Sequence, residues 1–175
     1  SVDSIRKEFI AEGGITLLFD LLYSEISTII TPGTLLLLLL VKDPSTHNIL
    51  LGSENEIIQL ALTLFDFPDR TSILVAFSIF ETFLTMNAEN IDSSSESPIQ
   101  TFARLGGITK LLSFAFSGET AFVKKALHVF LQISNNEIIR QQSVKENGIT
   151  HLAGLIENVG NEERVSLLQI CISLA

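Results

Sequence analysis

The sequence predicts an all-α fold built from repeated helical units, and two observations support this prediction. The phrase GGIT stands at residues 13–16 and again at 106–109, and the related phrase NGIT stands at 147–150. After each phrase, apolar residues recur at the spacing of a helix, and no alternating pattern is sustained long enough for a sheet. Self-similarity at a fixed period is typical of helical repeat proteins, in which neighbouring units cover each other's apolar faces.

The repeat period follows from the isoleucine of each phrase. Ile108 and Ile149 are 41 residues apart, whereas Ile15 and Ile108 are 93 apart, which is two such periods plus about eleven residues. A hidden copy is therefore expected near residue 57, and Ile57 lies there in the segment ENEIIQLALTLF. We predict a single domain of four three-helix repeats, at about 1–43, 44–87, 98–134 and 135–175, with an inserted polar loop at 88–97 that is exposed or mobile.

The third repeat illustrates how each helix is assigned. Pro98 suits a first helical turn and Gly106 suits a C-terminal cap, which predicts a helix over 98–106. Two further helices are predicted over 108–116 and 119–134, and the last of these should turn five apolar residues towards the core: Phe122, Ala126, Val129, Phe130 and Ile133.

The glycine of the phrase is expected to turn the chain between the first and second helices of a repeat. Glycine adopts the left-handed conformation without steric cost. We expect Gly107 to have a positive φ, so that Gly107→Val would destabilise the fold.

Two strongly apolar segments require interpretation. The run from Leu35 to Val41 has seven residues, far short of the roughly 20 that span a membrane, and is expected to be core. The segment SILVAFSIF has a strand-like composition, but its apolar run continues to Met86, so we interpret it as a buried helix.

The composition limits the location and the partners of the chain. Hydrophobic residues make up 46% of it and the net charge is −9, which disfavours nucleic acid as a partner. Residues 1–98 carry fourteen acids and four bases, whereas 99–175 carry six acids and seven bases. A single cysteine and the absence of an N-glycosylation sequon favour a reducing compartment. We expect a cytoplasmic or nuclear protein without membrane insertion and, because it begins at Ser1, a segment of a longer chain.

A unit of about 41 residues with Gly-Gly-Ile before a short helix, and an Ala- and Leu-rich third helix, resembles an armadillo repeat. The resemblance covers the whole chain, although Glu56 replaces the glycine in the second repeat. HEAT repeats are the nearest alternative, but they lack the Gly-Ile phrase. The resemblance implies a right-handed α-solenoid whose third helices line a concave groove that binds a segment of another protein.

In importin-α-like and β-catenin-like members of that family, the third helix often carries a Trp and, four residues later, an Asn that binds peptide backbone. The aligned pairs here are Leu35 with Leu39, Ser78 with Thr82, His128 with Gln132, and Gln169 with Ser173. The chain has no Trp, so binding of basic localisation peptides in the importin mode is not expected. The resemblance implies a polar partner-binding groove formed by Ser78, Thr82, Lys125, His128, Gln132, Gln169 and Ser173.

Two functional hypotheses follow. In the first, the chain is a non-enzymatic scaffold that binds a protein segment in this groove. In the second, it is a structural or regulatory arm of a larger protein, as armadillo-like regions are in formins, and acts by stacking or by self-association through its ends. The apolar run from Leu35 to Leu40 favours the second, because it offers few directional contacts.

Catalytic, cofactor and metal sites find no support in the residue pattern. His47, His128 and His151 lie in three different repeats, whereas a metal needs convergent ligands. Cys171 lies in an apolar helix without a basic neighbour that would activate it, and is expected to be a small buried residue. Ser93 and Ser97 in the inserted loop are candidate phosphorylation sites, because they lie next to acidic residues or a proline.

Overall fold

The computed structural model describes residues 2–24, 26–44, 46, 50, 53–86 and 97–175, and these residues form helices, turns and no strand. The predicted all-α class is therefore confirmed. We number the eleven helices with defined bounds in chain order: α1 (Val2–Ala11), α2 (Gly14–Tyr23), α3 (Ser27–Lys42), α4 (Glu54–Leu64), α5 (Arg70–Met86), α6 (Pro98–Arg104), α7 (Gly107–Ala115), α8 (Thr120–Ile133), α9 (Glu137–Lys145), α10 (Gly148–Leu155) and α11 (Asn161–Leu174).

The contacts divide the chain into an N-terminal unit, residues 1–82, and a C-terminal unit, residues 83–175, with the division inside α5. In the N-terminal unit, α2 packs on α1, α3 and α4. Its core contains an aromatic cluster, in which the ring centroid of Phe65 lies 4.8 Å from that of Phe77 and 5.3 Å from that of Phe80. The strand-like segment SILVAFSIF lies in α5, which confirms its interpretation as a helix.

The C-terminal unit consists of two helix triplets, α6–α8 and α9–α11. Within each triplet, consecutive helices contact each other. Between the triplets each helix contacts its counterpart, α6 with α9, α7 with α10, and α8 with α11. The predicted helices at 98–106, 108–116 and 119–134 agree with α6, α7 and α8 to within about two residues. All five α8 residues that were predicted to face the core are buried.

The apolar run in α3 is only partly core, so the prediction for it was wrong in part. Leu37, Leu40 and Val41 are buried, whereas Leu35, Leu36 and Leu39 are exposed. A helix turns successive residues by about 100°, so a continuous run of leucines cannot place every side chain on its buried face.

The turn between the first two helices of a repeat uses the first glycine of the phrase. Gly13 has φ 80° and Gly106 has φ 79°, and Asn147, at the equivalent position of the fourth repeat, has φ 54°. Asparagine is among the few non-glycine residues that tolerate this conformation. The expectation that Gly107 has a positive φ was therefore wrong, because Gly107 is already the first residue of α7.

The second glycine is required for a different reason. A Cβ atom on Gly107 would lie 2.5 Å from Cζ of Phe102, and one on Gly14 would lie 2.5 Å from Cζ of Phe9. In both repeats a phenylalanine five residues before the second glycine packs its ring against the bare Cα. Glycine thus allows the first and second helices of the repeat to approach closely.

The inserted loop ends in a helix cap. Residues 88–96 of the predicted loop lie outside the described residues. Ser97 is buried and caps α6, since its Oγ accepts a hydrogen bond from Gln100 N at 3.3 Å and its own N donates to Gln100 Oε1 at 2.7 Å. The predicted loop included Ser97 as an exposed residue. This prediction was wrong, because the reciprocal hydrogen bonds of the capping box hold Ser97 against the first turn of α6.

Asp69 caps α5 and connects it to α3. Its Oδ2 accepts hydrogen bonds from the hydroxyl of Ser72 at 2.7 Å, from the N–H of Ser72 at 2.8 Å and from the hydroxyl of Thr31 at 3.3 Å. These bonds, first of all that from the Ser72 hydroxyl, lower the pKa of Asp69 below its ordinary value.

We predict that Gly107→Ala and Gly106→Ala both lower the free energy of unfolding, for two different reasons, whereas Gly154→Ala does not lower it. Gly107→Ala should lower the free energy of unfolding by about 1–3 kcal/mol, because the new methyl group collides with the Phe102 ring. Gly106→Ala should lower it by about 1–2 kcal/mol through its positive φ, although the space around it is open. Gly154→Ala is the matched control, since this helical glycine has a negative φ and nothing near it. It should be neutral or raise stability by up to about 1 kcal/mol. Urea unfolding measures all three, and an unchanged midpoint for Gly107→Ala would contradict the ring contact.

We predict that Asp69→Ala lowers the free energy of unfolding by about 1 kcal/mol at neutral pH through loss of the cap. Because the pKa of Asp69 is lowered in the folded state, its contribution is present above the unfolded pKa and is lost as the pH falls through the folded value. The difference between parent and variant should therefore shrink below about pH 4 in urea unfolding series. Asp20→Ala, at an exposed site on α2, should change the stability by less than about 0.5 kcal/mol. If the stability difference between the parent and Asp69→Ala does not change with pH, the role of ionised Asp69 as a helix cap is contradicted.

Candidate protein-binding surface

The outer side of α8 carries polar side chains opposite its buried face. His128 and Gln132 are exposed and Lys125 is half-buried, and their spacing of three and four residues places them on one side of the helix. The amide nitrogen of Gln132 lies 3.2 Å from Nε2 of His128. This hydrogen bond holds the two side chains together on the exposed side of the helix.

The next triplet extends this surface. Gln169 is exposed and Ser173 is half-buried on α11, the helix that packs against α8. Five of the seven predicted groove residues therefore lie on two neighbouring helices of the C-terminal unit. We call these five, Lys125, His128, Gln132, Gln169 and Ser173, the α8–α11 polar surface.

Ser78 and Thr82 lie on α5 in the N-terminal unit and are half-buried. The hydroxyl of Ser78 donates to Leu74 O at 3.1 Å, and that of Thr82 donates to Ser78 O at 3.0 Å. Both hydroxyl protons are thus directed back into the helix. Leu35 and Leu39, the aligned positions of the first repeat, are exposed and apolar.

An ion pair that the sequence reading missed joins the two triplets beside this surface. Lys124 Nζ lies 3.3 Å from Glu163 Oε1 and 3.7 Å from Glu162 Oε2, which connects α8 to the first turn of α11. The pKa of Glu163 is lowered, first by a hydrogen bond from its own backbone N–H and then by Lys124. A signal was present in the sequence, because the lysine and the two glutamates are about one repeat period apart.

A groove of about 550 Å³ lies beside this ion pair, between the α7–α8 turn and the α10–α11 turn. Its apolar lining includes Phe116, Val123, Leu155 and Val159. The exposed ring of Phe116 meets His151 edge to face, with centroids 6.0 Å apart. This is a contact between adjacent triplets, and it gives His151 a packing role.

The remaining candidate residues are not brought together. Among the described residues no group of three or more His, Cys, Asp and Glu side chains could hold a metal ion, and His47 lies outside them. Cys171 is half-buried rather than fully buried, and burial raises the pKa of its thiol. Ser93 also lies outside the described residues. The side chain of Ser97 caps α6, so a kinase would reach its hydroxyl only after the first turn of α6 opens.

No family model matches the chain, and no curated protein matches it. Within the part of the chain that the structure describes, no helix combines the length and the apolar character needed to cross a membrane.

We predict that Cys171 reacts slowly with iodoacetamide in the folded chain. Because burial raises its pKa, the reactive thiolate is scarce at pH 8, and the thiol is partly shielded as well. The same chain unfolded in urea serves as the reference and should react several times faster. Mass spectrometry of timed samples measures both rates. An equal or faster rate in the folded chain would show that the thiol is activated.

Proposed function

We propose that this chain is a non-enzymatic protein–protein interaction scaffold: a right-handed solenoid of about four armadillo-like three-helix repeats that binds a segment of another protein through its third helices. The pairwise contacts of α6 with α9, α7 with α10, and α8 with α11 support the repeat architecture. The turns with positive φ at Gly13, Gly106 and Asn147 recur at equivalent positions of three repeats, which supports it further.

The observation that carries the proposal is the division of α8 into two chemically distinct sides. One side buries seven apolar residues, which accounts for its role in folding. The other side presents Lys125, His128 and Gln132, which the core does not require. Polar side chains on a packed, regular scaffold suit recognition, because the scaffold holds them in place before binding.

The chemistry of the α8–α11 polar surface indicates the kind of segment that it binds. Amides, an imidazole and a hydroxyl offer hydrogen-bond donors and acceptors suited to an extended or helical backbone. Lys125 adds one positive charge to these groups. The surface has no aromatic pocket of the kind that anchors tight complexes, so the expected affinity is modest.

We predict that Lys125→Glu combined with Gln132→Ala weakens peptide binding by about 1–3 kcal/mol. The probe is a 12-residue peptide selected from a random display library on the immobilised chain. Its Kd is measured by fluorescence anisotropy at a protein concentration that keeps the chain monomeric. The double variant should melt within a few degrees of the parent, because neither side chain belongs to the core.

The chain offers a chemically matched control. Lys145→Glu combined with Gln141→Ala makes the same two changes at exposed positions of α9. This control should bind the peptide as the parent does. Unchanged binding by the Lys125 and Gln132 variant, or equal weakening by the control, would refute the α8–α11 polar surface as the binding site.

A further inference from the structure

The first helix of the fourth repeat, α9, lacks the aromatic ring that packs on the second glycine in two other repeats. Alignment of the isoleucines of the GGIT and NGIT phrases shifts residue numbers by 149 − 108 = 41 from the third repeat to the fourth, and by 149 − 15 = 134 from the first to the fourth. Ser143 therefore stands at the position of Phe102 and of Phe9. A Cβ atom on Gly148 would meet the backbone oxygen of Ser143 first, at 3.1 Å, and no ring. The contact of α9 with α10 is thus made without an aromatic side chain.

The helix α9 also buries little apolar surface. Of its nine residues Ile139 and Ser143 are buried, and Ile139 is the one apolar side chain of the two. The helix α6 has seven residues and buries four of them, which include Pro98 and Phe102. An isolated helix of fewer than about 12 residues is marginal in water, so a short helix depends on its apolar packing. The attachment of α9 therefore rests largely on one isoleucine.

Two polar atoms on α9 are buried without a hydrogen-bond partner. They are Oγ of Ser143, a residue with no exposed surface, and Nε of Arg140. Within the described part of the chain, no other buried side-chain nitrogen or oxygen atom lacks a partner. A buried polar group without a partner loses its hydration and gains nothing in return. Water can hydrate both atoms when α9 leaves its site, so these two groups favour opening.

The joint between α9 and α10 is less favourable than the same joint in two other repeats. Asn147 has φ 54° there, whereas Gly13 and Gly106 occupy this position in the first and third repeats. The left-handed conformation costs a residue with a Cβ atom more than it costs glycine. A change of backbone conformation at Asn147 would relieve this strain and move α9 away from α10.

We infer that α9 is a detachable helix, which leaves α6 and α10 and unfolds by itself while α10 and α11 stay packed on α7 and α8. Local opening is a property of elements that bury few apolar contacts. The two other helices of this repeat are better attached. The apolar residues that they bury are Leu152 and Leu155 on α10, and Leu167, Ile170 and Leu174 on α11.

The opening of α9 affects α11, because the two helices pack against each other in the closed form. Since α11 carries Gln169 and Ser173, α9 is a conformational switch next to the α8–α11 polar surface. Ser143 lies against Gly148 of α10, and Ile139 lies one helical turn away on the same side of α9. The weak attachment is therefore a property of the inner side of α9 and does not depend on what packs on its outer side.

Hydrogen–deuterium exchange of the whole chain, measured by mass spectrometry of peptic fragments, tests the inference. The hydrogen-bonded amides of α9 should exchange at least about tenfold faster than those of α10 and α11, because a helix that opens alone loses its protection alone. If the amides of all three helices exchange at one common rate, the fourth repeat opens as a unit and the inference is overturned.

Variants at Ser143 test the cause of the opening. Ser143→Ala removes the unpartnered hydroxyl and should slow the exchange of α9 by roughly tenfold, while α10 and α11 exchange as in the parent. Ser143→Cys should slow it as well. Cysteine has about the helix propensity of serine but behaves as a small apolar side chain, so this variant separates the buried hydroxyl from helix propensity.

Ser166→Ala is the matched control, because it makes the same change on α11 at a hydroxyl that donates to Glu162 O at 3.3 Å. It should leave the exchange of α9 as in the parent. If Ser143→Ala and Ser143→Cys also exchange as the parent does, the buried hydroxyl does not control α9 and the inference is overturned. The measurement uses the chain without a peptide, so its outcome is independent of binding at the α8–α11 polar surface.

Discussion

The contact between a phenylalanine ring and the bare Cα of a glycine holds together the first two helices of a repeat. At Phe102 and Gly107, as at Phe9 and Gly14, the ring occupies the space that any other residue would fill with its Cβ. The preceding glycine, in the left-handed conformation, reverses the chain so that this approach can occur. The packing of α6 on α7, and through α7 on α8, follows from this junction. The α8–α11 polar surface depends on it in turn, because α8 must present a fixed side to α7 before its other side can bind.

The sequence predicted helix positions well and predicted burial less well. Periodicity and turn residues located α6, α7 and α8 closely, because both are local properties of the chain. The exposure of Leu35, Leu36 and Leu39 could not be found in this way, since a residue is buried only if another element covers it. The Phe102–Gly107 contact could have been predicted, because a phenylalanine stands five residues before the second glycine in two repeats. Positive φ was instead assigned to the wrong glycine of the pair.

The same distinction applies to the candidate site. The spacing of Lys125, His128 and Gln132 placed them on one side of a helix. In the structure, His128 and Gln132 are exposed. The hydrogen bond between Gln132 and His128, and the ion pair of Lys124 with Glu163, required coordinates. The first depends on rotamers, and the second depends on how closely two triplets approach. Neither can be read from residue types alone, although the one-period separation of the charges was a usable hint.

The pairwise contacts of the two C-terminal triplets have a consequence for how such a chain can change in length during evolution. Each helix of a triplet meets its own counterpart, so duplication or loss of a whole repeat brings together surfaces that are already complementary. Gain or loss of a few residues inside α6, α7 or α8 would instead rotate one helix relative to its counterpart and misalign its buried face. Length variation should therefore accumulate between repeats. The surplus of about eleven residues between Ile57 and Ile108 agrees with this, because the polar segment that accounts for it precedes α6 rather than interrupting a helix of the third repeat.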